Sequence, residues 1–271
     1  MFDLDAYLAR LGLTGAVRAT PTRERLDALV LAHLGAIPFE NLDPLTGKVP
    51  EIAADAVAAK LVTARRGGYC YEQNHLLLAA LHAMGFEAEP LVCRVWWQRP
   101  AGTPPGPWTH MALRVRLGGR ALLVDVGFGG CVPTASLDMA ADAPQATPHE
   151  PFRLRQGRDG PLLEVEIGGS WRPVYETRPE PAAFDELREA NHRTATESRF
   201  TQELMLARTT PEARLALGGN RFTRRLAGGS VAERAHLDAE GLERVITDRF
   251  GLPVAPEWRP VLVRFADLTE A

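Results

Sequence analysis

Cysteine is scarce in this chain. Cys70, Cys93 and Cys131 are its whole complement among 271 residues, and no two form a CxxC pair. So sparse a set excludes a disulfide framework and argues against a structural zinc site. No run approaches 18 apolar residues, and Met1-Phe2-Asp3-Leu4-Asp5 has no basic segment ahead of an apolar one. Neither a membrane span nor a signal peptide is expected. Neither sign of charge dominates: 31 Lys and Arg stand against 34 Asp and Glu, a net charge of −3. That balance argues against nucleic acid or a membrane surface as partner, but not against an anionic small molecule held by a local arginine cluster. Internal repeats and low-complexity tracts are also missing. The chain reads as reduced, cytoplasmic and free of metal.

At 271 residues the chain is long for a single core, so two or three domains or subdomains are expected. Residues 1–85 read as helical. Leu4, Tyr7, Leu8 and Leu11 share one face, Thr20-Pro21 resembles an N-cap followed by a first-turn proline, and Leu26, Leu29, Val30 and Leu34 form a second stripe. Ile37-Pro38-Phe39-Glu40-Asn41-Leu42 is a stiff, non-helical insert, and Ala53 to Thr63 a third helix. After Gly85 the period changes. Leu91 to Trp97, Met111 to Leu117, Ala121 to Phe128, Phe152 to Leu154, Leu162 to Ile167 and Trp171 to Tyr175 read as strands, with tight turns at Gly118-Gly119 and Gly168-Gly169. Residues 99–108, rich in proline and glycine, form a loop. The last third is mixed. Helices are expected at Ala182 to Ala190 and Leu242 to Phe250, a strand at Glu203 to Ala207, a hairpin turned at Gly218-Gly219, and a final strand at Val261 to Phe265.

Chemistry concentrates at Arg65-Arg66-Gly67-Gly68-Tyr69-Cys70-Tyr71-Glu72-Gln73-Asn74. Two glycines allow a sharp turn, and Leu77, Ala80, Leu81 and Met84 then recur at helical spacing up to Gly85. Cys70 therefore belongs in a first helical turn, where unpaired N–H groups and the helix dipole favour a thiolate. A small buried core cysteine satisfies the same local pattern. A cysteine nucleophile needs a base, and the base an orienting group. Among seven histidines, His110 stands out because it begins a strand whose hairpin partner contains Asp125 between Val124 and Val126. A two-residue turn at Gly118-Gly119 places Asp125 opposite Ala112, with His110 a diagonal neighbour on the same face. A slip of one residue would separate them. Cys70, His110 and Asp125 are the expected triad; Cys93 and Cys131 are expected to be structural or incidental.

These residues resemble the arylamine N-acetyltransferase family. Arg66 to Asn74 matches its RGGxCxExN motif, Pro38-Phe39-Glu40-Asn41 its PFEN segment, Thr109-His110 its histidine motif and Asp125-Val126-Gly127-Phe128-Gly129 its DVGFG motif. Asn191-His192 and Ser198-Arg199-Phe200 resemble a later segment. The resemblance implies an α+β fold: an N-terminal helical bundle over 1–85 bearing the cysteine, a central antiparallel β-barrel over 86–178 bearing histidine and aspartate, and a C-terminal α/β lid over 179–271. It implies acetyl-CoA as cosubstrate, an acetyl-cysteine intermediate, and a small aromatic amine or hydrazine as acceptor. Phe39, Tyr71, Phe128 and Phe200 would then line the acceptor pocket. Trp97, Thr109 and Gly129 would contact coenzyme A, with Arg94 or Arg99 near its phosphates; a homodimer is compatible. Arg221, Arg224 and Arg225 read as a solvated face. Two other enzymatic readings share the motifs or the residue order: an amide synthase of the same fold that joins a polyketide acyl thioester to an aromatic amine, and a Cys-His-Asp hydrolase. A ligand-binding or thiol-sensing protein is the non-enzymatic alternative.

Overall fold

The computed structural model describes residues 2–13, 20–100 and 102–266. It begins with α1 (Leu4–Arg10) and α2 (Arg23–Ala36), followed by the short strand β1 (Phe39–Glu40) and α3 (Leu42–Leu45). Next come α4 (Ala54–Ala58), continued by a wide π turn over Ala59–Thr63, and α5 (Cys70–Ala83). The caps explain two of the starts. Asp3 accepts a hydrogen bond from the Ala6 N–H at 2.9 Å, and Thr22, not Thr20, caps α2 through the Arg25 N–H at 3.4 Å. Pro21 thus precedes the cap instead of opening the helix. The expected single helix from Ala53 to Thr63 is an α-helical turn that widens, which lets Lys60 point inward.

His33 on α2 is fully buried. Its Nδ1 accepts from the Tyr7 hydroxyl at 2.8 Å, and its Nε2–H donates to Gln73 Oε1 at 2.6 Å. Burial pushes its pKa down to about 4. In the unfolded chain the imidazole titrates near 6.5, so the unfolded state binds the extra proton first as pH falls. This part of the stability is complete above pH 6.5 and is lost progressively down to about pH 4. Between pH 7 and pH 5 the native chain should therefore lose about 2 kcal/mol more stability than His33→Gln. Urea unfolding of both proteins at the two pH values checks this; parallel losses would refute it.

The middle of the chain is a seven-stranded antiparallel sheet. Its strands are β2 (Glu87–Val95), β3 (Trp108–Leu117), β4 (Arg120–Val124), β5 (Leu137–Asp138), β6 (Phe152–Gln156), β7 (Pro161–Ile167) and β8 (Ser170–Thr177), in the order β5-β4-β3-β2-β8-β7-β6. The two edge strands meet through Gln145. Its backbone pairs with Phe152 at 2.7 and 3.0 Å, and its side chain grips the Asp138 backbone at 2.7 and 3.0 Å. One residue thus nearly closes the sheet into a barrel around Leu91, Cys93, Phe152, Val165 and Tyr175. The pairs Leu117↔Arg120 and Ile167↔Ser170 place both glycine turns at the predicted positions.

The last third comprises α6 (Phe184–Glu197), β9 (Met205–Thr209), β10 (Ala213–Gly218), β11 (Arg221–Leu226), β12 (Val231–His236), α7 (Ala239–Asp248) and α8 (Arg259–Ala266). Its sheet runs β1-β9-β10-β11-β12, so the Pro-Phe-Glu-Asn segment supplies the edge strand. Gly218 pairs with Arg221, which moves the hairpin turn one residue on, to Gly219-Asn220. Val261 to Phe265 is helical, not a strand. Trp258, Leu262 and Phe265 are the buried residues there, spaced by four and three, while Val263 is half exposed. Val-Leu-Val-Arg-Phe is a short run rich in apolar and β-branched residues, which imitates a strand; the buried set follows a helix. Among the described residues no helix is long and apolar enough to cross a membrane.

Candidate active site

Cys70 is the first residue of α5, and what brings the chain there is close packing. Neither Gly67 nor Gly68 has a positive φ; the left-handed residue of this turn is Arg65, at 53°. The glycines are needed for space. A Cβ on Gly67 would lie 2.3 Å from the Pro38 carbonyl oxygen, and one on Gly68 would lie 2.7 Å from Glu72 Oε2. Their absent side chains let the turn pair with β1, with the Glu40 N–H donating to the Gly68 carbonyl at 3.0 Å. Gly127 packs the same way from the barrel side, since a Cβ there would meet Cys70 Cα at 2.6 Å.

His110 and Asp125 meet as the hairpin register requires. Leu113 faces Val124, which extends to Ala112 opposite Asp125, and His110 Nε2 donates to Asp125 Oδ2 at 2.7 Å. Cys70 is near enough to this ring to help raise its pKa, and with Nε2 on Asp125, Nδ1 is the nitrogen left to face the sulfur. The Cys70 sulfur lies 3.9 Å from the Thr109 carbonyl oxygen. Burial alone would lower the His110 pKa, but the Asp125 charge and hydrogen bond, with Cys70, push it up to about 10. Burial works against the Asp125 carboxylate as well; the charge and hydrogen bond of His110 outweigh it and hold its pKa below the usual range. Oδ1 is filled by the Asn74 amide at 3.0 Å and the Gly127 N–H at 2.7 Å. Asn74 is one helical turn beyond Cys70, so the helix that begins at Cys70 also holds the Asp125 carboxylate. Burial pushes Cys131 up to about 12 and Cys93 well above the ordinary thiol range, which leaves both as packed neutral thiols.

A buried ion cluster underlies the cysteine turn. Lys60 Nζ lies 2.6 Å from both Asp43 and Glu72, and Arg66 contacts Glu40 at 2.6 Å and Asp43 at 3.0 Å. The Arg66 guanidinium also sits 4.5 Å over the ring of Trp258. Three carboxylates share two cations, and burial pushes Glu72 up to about 7 despite Lys60. Such a cluster is weak evidence of net stability, because desolvation offsets attraction; what it does is fix one geometry of the turn. Asn41 completes the tie by donating to the carbonyls of Phe200 and Glu203 at 2.9 and 2.6 Å. Asn191 accepts from the Tyr69 hydroxyl and donates to the Pro50 carbonyl at 3.0 Å. None of these roles was assigned from the sequence. Their signal was membership of the matched motifs, in which Glu40, Asn41, Arg66, Glu72 and Asn191 all fall.

Cys70 opens onto a cleft of about 1190 Å³ between the barrel and the last sheet. Phe39, Phe128, Phe200, Trp97, Thr109 and Gly129 all line it, together with His110. Phe39 and Phe200 meet edge to face at 5.9 Å, and Phe128 meets the His110 ring at 5.1 Å. Tyr71 does not belong to this set. It is fully buried, packed 5.7 Å from Tyr69, because the residue after Cys70 is turned about 100° away around the helix. Arg94 is also occupied elsewhere, by Asp159 and by Glu176 at 3.5 Å, and Arg99 donates to the Pro104 carbonyl at 2.8 Å.

Comparison with known proteins agrees with this geometry. A family model described as N-acetyltransferase matches residues 22–259. The arylamine N-acetyltransferase of Mycolicibacterium smegmatis is 39% identical over 99% of this chain and 98% of its own length. The arylamine N-acetyltransferase / N-hydroxyarylamine O-acetyltransferase of Salmonella typhimurium is 35% identical over 93% of this chain and 89% of its own. Among solved structures, the Mycobacterium marinum arylamine N-acetyltransferase in complex with CoA superposes with a TM-score of 0.91 at 39% identity, covering 98% of both chains. Matched in sequence and in fold along nearly its whole length, the chain belongs to the arylamine N-acetyltransferase family of enzymes.

Proposed function

We propose that the protein transfers the acetyl group of acetyl-CoA to the nitrogen of an arylamine or arylhydrazine by a ping-pong route through an acetyl-Cys70 thioester. The observation that carries this reading is that Cys70 and His110 line one open cleft, with His110 hydrogen-bonded to a buried Asp125. The CoA complex of the M. marinum relative supports the donor, and the relatives' names support the acceptor class. Separate apolar clusters in the barrel and around Trp258 support a division into 1–85, 86–178 and 179–271, although β1 crosses it.

In the first half-reaction the Cys70 thiolate, paired with the His110 imidazolium, attacks the thioester carbonyl carbon. Carbonyl electrons move to oxygen, where first-turn N–H groups of α5, that of Cys70 included, offer donors. Collapse expels the CoA sulfur, which takes the His110 proton and leaves as the thiol. In the second half-reaction the amine nitrogen attacks acetyl-Cys70, neutral His110 removes its proton, and Cys70 departs as thiolate. Asp125 holds the ring throughout. Phe39, Phe128 and Phe200 give a flat aromatic acceptor faces and edges to pack against, worth roughly 0.5–1.5 kcal/mol per ring pair beyond area burial.

Intact mass spectrometry after mixing with acetyl-CoA tests the reaction class. One added acetyl group, mapped to Cys70 and discharged by an aromatic amine, is the expected result. No adduct, or an adduct that only water removes, would reject transfer.

A further inference from the structure

The buried ion cluster beneath the cysteine turn is covered by a residue from the far end of the chain. Trp258 lies on a 3₁₀ turn, Pro256–Trp258, just ahead of α8, and is fully buried in the apolar core of the last third. Its ring takes the face of the Arg66 guanidinium, 4.5 Å from Cζ. Carboxylates take the edge of the same group. Nε and Nη2 donate to Glu40 Oε1 at 3.1 and 2.6 Å, and Nη2 donates to Asp43 Oδ1 at 3.0 Å. A planar cation gripped by its edge and stacked on one face is fixed in plane as well as in position. The anchor itself is firm. Leu42 and Leu45 of α3 share the Trp258 core, and Lys48, just beyond α3, reaches Glu257 at 3.3 Å.

What Arg66 is tied to gives this contact its meaning. Arg66 stands four residues ahead of Cys70, and its partner Glu40 follows Phe39 of the cleft wall. Glu40 is buried; its N–H donates to the Gly68 carbonyl at 3.0 Å, and its Oε2 accepts from the Leu42 N–H at 2.7 Å. A tilt of the guanidinium is therefore passed to Cys70 through Gly67-Gly68-Tyr69 and to Phe39 through Glu40. The first route has little slack, because Gly67 and Gly68 lie too close to Pro38 and Glu72 to admit a Cβ. Core packing alone would be served by any apolar side chain at 258; the flat face matters only to the cation. Resting on the reading of Cys70 as nucleophile, we propose that Trp258 is a positioning residue for acetyl transfer. By holding the Arg66 guanidinium in one plane it sets the Cys70 sulfur against His110, although it does not line the cleft.

Two readouts test this: the single-turnover rate of Cys70 acetylation by acetyl-CoA, and the pH profile of Cys70 alkylation by iodoacetamide. Trp258→Met refills much of the space without a π face. It should slow acetylation roughly 10- to 100-fold, the size of effect expected when a reacting group is misplaced by up to an ångström. The half-maximal acetyl-CoA concentration should change little, and the alkylation profile should move to higher pH as the thiolate loses its partner. Trp258→Phe keeps an aromatic face and should recover most of the rate. Leu262→Ala opens a cavity in the same core but leaves both members of the stack in place, so it should lower Tm and leave both readouts unchanged. Arg66→Lys, with neither fork nor flat face, should also be slow, and adding Trp258→Met to it should cost nothing further. Site-specific tetrafluorotryptophan at position 258 empties the π face at nearly constant shape, and should slow acetylation without lowering Tm; it decides the matter even if Trp258→Met fails to fold. Wild-type readouts in the fluorinated protein, or losses that add to those of Arg66→Lys, would leave Trp258 as core packing and overturn the proposal. A wild-type protein that acetyl-CoA does not acetylate would instead overturn the reading of Cys70 beneath it.

Discussion

Cys70→Ala is expected to abolish acetyl transfer, with a loss on the order of 10⁶-fold, the size of effect seen when a covalent nucleophile is removed from a triad. The reason is geometric. No other thiol can substitute, since Cys93 and Cys131 are buried and held as neutral thiols by that burial. Cys70→Ser should be nearly as inactive, because a hydroxyl beside His110 does not ionise as a thiol does. The fold should survive either change, as the sulfur's approach to the Thr109 carbonyl is a long one, at 3.9 Å. Single-turnover acetylation measured by quenched mass spectrometry, beside a thermal melt, separates chemistry from folding. Retained acetylation in Cys70→Ala would place the nucleophile elsewhere.

Asp125→Asn carries the second large effect. All the hydrogen bonds at this carboxylate come from donors: Asn74 Nδ2 and the Gly127 N–H on Oδ1, and His110 Nε2 on Oδ2. A carboxamide must turn its NH₂ toward one of them. If its oxygen keeps Asn74 and Gly127, the NH₂ faces Nε2, which becomes an acceptor. Nδ1 then carries the proton toward Cys70 and can no longer receive one. A loss on the order of 10⁴-fold in kcat is expected, as for other triads locked in the wrong tautomer. Stability should fall too, by up to about 3 kcal/mol, the lower end of what breaking a buried ion pair costs. Activity and urea unfolding measured on one preparation check both. A variant that unfolds more easily yet keeps full turnover would assign Asp125 a structural role alone.

Acid should also distinguish two of the buried histidines, His33 and His110. His33 is neutral in the fold and resists protonation, whereas His110 is charged and resists deprotonation up to about pH 10. The His110 contribution is complete below its unfolded pKa near 6.5 and fades as pH rises toward 10. The two groups therefore press the stability curve in the same place from opposite sides.

Local pattern carried a good deal of this far. Helical spacing after Cys70 located α5, and a two-residue glycine turn was enough to set which residues of β3 and β4 share a face, because strand side chains alternate strictly. Where two periods fitted, pattern failed: Val261 to Phe265 is too short to tell a strand from a helix until its neighbour Trp258 is seen to be buried. The glycines of the cysteine turn were legible as necessary but for a different reason. Turn sterics read from sequence concern φ, whereas Gly67, Gly68 and Gly127 answer to atoms supplied by Pro38, Glu72 and Cys70.

By itself, then, the order of residues determined that a helix begins at Cys70 and that one hairpin brings His110 and Asp125 together, since each depends on spacing within one or two adjacent elements. Only the tertiary structure decided that Tyr71 faces the core, that Lys60 and Arg66 are buried among three carboxylates, and that Gln145 joins the barrel's edges. It also decided that Arg221, Arg225 and Arg234 line the cleft. Those outcomes depend on contacts between segments many residues apart. Charge, burial and close approach are properties of neighbours in space, and a linear chain does not specify its neighbours until it folds.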